Sequence, residues 1–103
     1  MAKLTITVNN NGIPNPVNGT VHTNSANGDN QVQWQSGAGA GTHTIDGLPT
    51  GVFTVDPPSS ITISPGNPSD TYTVKSDAAA GDYTYTVGTG TVPNGQPKII
   101  VSP

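Results

Sequence analysis

Apolar and polar residues alternate along most of this chain with a period of two, and no stretch repeats with a helical period. Leu4, Ile6 and Val8 alternate with Thr5 and Thr7, which predicts an opening strand. Two later runs share one tetrapeptide, Thr71-Tyr72-Thr73-Val74 and Thr84-Tyr85-Thr86-Val87, and predict strands over 70–75 and 82–87. In the second, Tyr83, Tyr85 and Val87 alternate with Thr84 and Thr86, as in a sheet with one dry face. A weaker strand is predicted at 17–23, interrupted by Asn18-Gly19, and a further strand at 31–35, with Val32 and Trp34 inward and glutamines outward. Short ones follow at 43–45, at 52–55 before Pro57-Pro58, and around Ile61 and Ile63 before Pro65-Gly66. A strand over 98–102 closes the series.

The segments between are rich in Asn, Gly and Pro, the residues of turns, and 36–41 reads as a flexible tip. Only 76–80 admits a helical turn. Roughly seven to nine short strands, with turn signals about every 8–12 residues, predict an all-β, antiparallel Greek-key sandwich. At 103 residues the chain is expected to form one domain over 1–103.

Composition narrows the function more than the fold. Charged residues make up 9 % of the chain, with three lysines and neither Arg nor Glu. Three lysines and a net charge of −3 do not build the basic face that nucleic acid or an anionic membrane surface requires. No apolar run approaches the roughly 20 residues of a membrane helix, so no membrane insertion is expected. Without cysteine there is no thiolate ligand, thiol nucleophile or disulfide framework. The opening MAKLTITVN enters a strand with no signal-peptide hydrophobic stretch, which fits a cytosolic protein or one whose leader lies outside this sequence, while the Thr/Asn-rich, lysine-poor composition leans towards an exported or surface module.

Several landmarks occur in a telling order. Gly28-Asp29 precedes a strand that holds Trp34; His43-Thr44-Ile45 follows a glycine-rich loop; Pro65-Gly66 precedes Thr71-Tyr72-Thr73-Val74. Gly81-Asp82-Tyr83-Thr84-Tyr85-Thr86-Val87 then leads through a ten-residue loop to Lys98-Ile99-Ile100-Val101. In this order the chain resembles the cupredoxin family, the plastocyanin-like copper sandwiches. The resemblance implies a type I site of two imidazoles, a thiolate and a weak thioether. The first imidazole position corresponds to His43, the thiolate to Val87, the second imidazole to about Gly90 and the thioether to about Gly95. Only His43 is a side-chain ligand, so the family's copper site and electron transfer are not expected, and no cofactor is implied.

His22 and His43 are the only imidazoles, a candidate pair for a metal ion with Asp46 or Asp29, or else two unrelated edge residues. The loop 24–30 offers Asn24, Asn27 and Asp29 as oxygen ligands but lacks the glycine placement and bidentate Glu of a calcium loop. No G-x-S-x-G elbow or Asp-Thr-Gly occurs, and no catalytic residue is assigned; the chain is not expected to be an enzyme. Asn18-Gly19-Thr20 matches a glycosylation acceptor sequence. Trp34, Tyr72, Tyr83 and Tyr85 read as core packing in preference to a ligand-stacking strip.

The expected function is a non-catalytic binding or structural module. Its docking rim is sought in the loops 36–42, 47–51 and 88–96, expected near one end and represented by Gly39, Thr42, His43, Gly90 and Asn94. A protein or glycan partner fits these uncharged loops, as does edge-strand self-association. The alternative is an immunoglobulin-like repeat module of a bacterial surface or phage structural protein. Against it stands Ala79, at the Asp position four residues before the tyrosine of a tyrosine corner. A weaker alternative is metal carriage through His22 and His43.

Overall fold

The period of two is realised strand by strand. The computed structural model describes residues 3–23, 29–88 and 96–103, and among them there is no helix. The strands are β1 (Leu4–Val8), β2 (Pro14–Asn15), β3 (Asn18–His22), β4 (Gln31–Ser36), β5 (His43–Asp46), β6 (Ser60–Ile63), β7 (Tyr72–Thr73), β8 (Gly81–Thr84), β9 (Thr86–Val87) and β10 (Lys98–Ser102). They form sheets of order β2-β1-β4-β7, β3-β10-β8 and β6-β5-β9. Among the described residues there are ten strands: a short β2 forms inside the first turn-rich segment and one long strand divides, while 52–55 forms none.

The sheets are not wholly antiparallel, whereas the series of short strands and regular turns predicts an antiparallel fold. β1 runs parallel to β4, from Leu4 opposite Val32 to Val8 opposite Ser36, and β10 runs parallel to β3. The route of the chain explains it. After β1 the chain turns back through β2, continues as β3 in another sheet, and returns beside β1 as β4. Alternation reports which face of a strand is dry but says nothing of its direction.

The strand expected at 82–87 divides at Tyr85. Its first half, β8, pairs with β10, and its second half, β9, pairs with β5. At the break the Tyr85 amide donates to the Pro97 carbonyl at 3.0 Å, so the backbone stays satisfied while the strand changes sheets. The second and third sheets are therefore joined through one residue.

The strand expected at 70–75 shrinks to β7, because Ser69 replaces its continuation. The Ser69 amide donates to the Trp34 carbonyl at 2.8 Å, and its Oγ accepts from the Trp34 amide at 3.0 Å. A single serine thus meets both backbone groups of Trp34. The strand expected at 52–55 is only one bridge, Phe53 to Val74, after which Val55 stands 70 % exposed. The helical turn at 76–80 is a plain turn, with the Ala78 amide on the Lys75 carbonyl.

The tyrosine corner expected to fail at Ala79 does form: Tyr83 Oη donates to the Ala79 carbonyl at 2.7 Å. The acceptor is backbone, so the side chain at position 79 is immaterial.

All three sheets turn apolar residues into one cluster. Ile6, Val8, Val32 and Trp34 come from the first sheet, Val21, Ile99 and Val101 from the second, and Ile45, Ile63 and Val87 from the third. Burying each aliphatic side chain contributes about 1.5–3 kcal/mol. Trp34 contacts Tyr72 and Tyr85 edge to face, at centroid separations of 6.3 and 5.6 Å. Where β3 passes β1, Gly19 lies close under Leu4, whose Cδ2 would stand 2.6 Å from a Cβ there and would have to shift to admit one.

Candidate functional site

The two histidines lie at opposite ends of the run formed by β8 and β9. His22 is level with Ser102, at the Gly81 end of β8, whereas His43 precedes Thr44, whose carbonyl accepts from the Gly88 amide. The run from Gly81 to Gly88 that separates them spans about 20 Å at roughly 3.3 Å per residue. Each imidazole is engaged locally. His43 Nε2 donates to the Ala40 carbonyl at 2.8 Å, and His22 Nδ1 faces the Pro103 carbonyl at 3.4 Å. The Asp29 carbonyl accepts from the His22 amide at 3.2 Å, and the Asp46 carboxylate accepts from Ser60 Oγ. Among the described residues no three His, Cys, Asp or Glu side chains converge. Asn24 and Asn27 of the candidate calcium loop lie outside the described residues.

The tip after β4 is pinned, contrary to its glycine-rich composition. The Gly37 amide donates to the Val8 carbonyl, the Ala40 amide to the Gly37 carbonyl, and Ser36 Oγ to the Gly41 carbonyl. Gly39 and Gly41 take φ of +75° and +80°, which their lack of a Cβ permits and this tight path requires. Gly39 and Thr42 are exposed on it, with His43 half-buried at its end. Gly90 and Asn94, the other rim residues, lie outside the described residues.

The loops 36–42 and 47–51 do not share an end. They leave opposite ends of β5, so the four residues of that strand separate them. The cupredoxin resemblance implies a common rim for both; strand geometry separates them.

Sequence reasoning missed two features. A groove of about 400 Å³ lies along β7, lined by Thr54, Val55, Asp70, Thr71, Tyr72 and Thr73. Its Tyr72 hydroxyl is pushed above its usual range by burial and then by the Asp70 carboxylate. The groove exists because 52–54 covers β7 only in part, a tertiary event without a local signal. The second is the outer edge of β6, whose run Ser60-Ile61-Thr62-Ile63 carries no charge and no proline. That signal was legible.

Of the four aromatic residues considered as a ligand strip, Trp34, Tyr72 and Tyr85 are buried. Tyr83 is half-buried and packs against the core. Among the described residues no helix is long and apolar enough to cross a membrane. No protein-family model and no curated protein matches this chain.

Proposed function

We propose that the chain is a non-catalytic, cupredoxin-like β-sandwich domain without a type I copper site, serving as a binding or structural module. The observation that carries this reading is Val87. It occupies the position matched to the family's thiolate, is 3 % exposed, and pairs with Ile45 inside the apolar cluster. A branched aliphatic side chain fills that position and offers no donor to a metal. His43, matched to an imidazole ligand, already spends its Nε2 proton on Ala40.

Titration with copper(II) and then zinc, read on the NMR signals of His22 and His43, tests the proposal. Neither imidazole is expected to respond at micromolar metal. Joint broadening or shift of both would replace the module reading with metal carriage.

One observation favours the immunoglobulin-like alternative, the hydrogen bond from Tyr83 to Ala79 that forms a tyrosine corner. The parallel ladders β1–β4 and β3–β10 weigh against it, because that fold is built of two antiparallel sheets.

A further inference from the structure

We infer that the outer edge of β6 is a self-pairing strand through which two copies of this chain join. The inference rests on the module reading above and names its partner.

The outer strands differ in how their edges are closed, and β9, at the far side of the third sheet, is only two residues long. β2 is two residues long and starts at Pro14, which has no amide to donate. β7 is bridged by 52–54, with the Thr54 amide on the Thr73 carbonyl and the Lys75 amide on the Val52 carbonyl. β3 carries Gly19 as its second residue, and its His22 amide is taken by the Asp29 carbonyl. β8 carries Asp82, paired with Lys98 at 3.1 Å. β6 has none of these devices. Charge, proline, glycine interruption or a covering segment is what keeps an edge from adding a strand.

Backbone alternation fixes which groups of β6 face outward. The Gly88 amide donates to the Thr44 carbonyl, so Thr44 and Asp46 face β9. His43 and Ile45 therefore bond to Ile63 and Ile61, and Ser60 and Thr62 turn their N–H and C=O groups away from β5. Among the described residues no backbone hydrogen bond reaches those four groups other than from within the strands. The free edge stops at Ser64, whose amide and carbonyl are both bonded to Asn67.

This edge is complementary to itself. A two-fold axis at Ile61 sets Ser60 of one copy against Thr62 of the other, twice, so two amides and two carbonyls per copy all find partners. The product is one sheet of order β9-β5-β6-β6-β5-β9. On its solvent face hydroxyl meets hydroxyl at the seam, and the Asp46 carboxylates stay one strand back on each side. Each Asp46 carboxylate is held by the Ser60 hydroxyl of its own copy, and the seam residues Ser60 and Thr62 are themselves uncharged. An edge this short buries less than the roughly 1,000 Å² of a stable interface, so the dimer belongs to the weak, reversible class.

Sedimentation velocity of the whole chain from about 10 µM to about 1 mM, with amide spectra over the same range, tests this. The expected result is mass rising towards a dimer, with concentration-dependent shifts at Ser60 and Thr62. Thr62→Lys is expected to weaken association about tenfold or more through like charges at the seam. Thr62→Pro is expected to do the same without opening the fold, because the Thr62 amide makes no internal ladder bond. A chain monomeric at 1 mM overturns the inference, as does association that Thr62→Lys leaves unchanged. A monomer whose imidazoles ignore copper overturns the dimer alone; a chain that binds copper through both imidazoles yet dimerises through Thr62 overturns the module reading alone.

Discussion

The Trp34 indole meets the Tyr85 ring edge to face, with centroids 5.6 Å and planes 80° apart, joining the four-stranded sheet to the residue where the other two sheets meet. Both rings are buried, and among the described residues neither Trp34 Nε1 nor Tyr85 Oη has an aligned hydrogen-bond partner. The indole N–H still lies near enough to the phenol to favour its ionised form slightly. Burial dominates, and the hydroxyl is pushed up to about 12 from its usual 10.0.

That shift predicts an alkaline transition. Below about pH 10 the phenol is neutral whether the chain is folded or not, and its contribution is fully present. Above that the unfolded chain ionises first, so stability falls until about pH 12, by on the order of 2–3 kcal/mol. Tyr85→Phe should remove this component and leave neutral-pH stability unchanged or slightly raised, since a buried hydroxyl without a partner is lost. Urea unfolding at pH 7 and 11 checks both outcomes.

Ser69→Ala should cost about 1–3 kcal/mol, because it strips the Trp34 amide of its acceptor in a buried site. Ser69→Thr, which keeps the oxygen, should recover part of the loss. Chemical denaturation of the two variants side by side separates the hydroxyl from the shape of the residue.

Val87→Ala should cost about 1–3 kcal/mol from lost burial and the cavity left beside Ile45. A neutral result would undo the register on which the cupredoxin resemblance depends. Thermal melting of the single variant is sufficient.

Tyr83→Phe should cost about 0.5–1.5 kcal/mol through the lost bond to the Ala79 carbonyl. Ala79→Ser should be near neutral, because the acceptor belongs to the main chain. The contrast, measured by denaturant midpoints, tests whether the corner is a backbone device.

These outcomes mark what the sequence could and could not express. Strands with strong alternation were legible: β1 and β10 span the predicted residues, and β4 extends one residue beyond its predicted end. Strand direction was not, because parallel β1–β4 pairing depends on a detour through another sheet. The division at Tyr85 was hidden for a related reason, since Thr84-Tyr85-Thr86 alternates perfectly across the break and only the partners change. At the candidate site, the uncharged run of β6 was readable in the letters, while the groove by Val55 and the separation of His22 from His43 came from tertiary placement alone. Glycine content also misled: 36–42 looked loose, yet its amides and carbonyls are bonded in place.

The exchange of partners at Tyr85 bears on how the molecule opens. β8 is held by β10 and β9 by β5, so peeling either neighbour pulls on the same short backbone run. The two three-stranded sheets are thus not independent foldons. Amide protons on β5 and β10 should exchange with a common free energy close to that of global unfolding, and the two sheets should be lost as one cooperative unit.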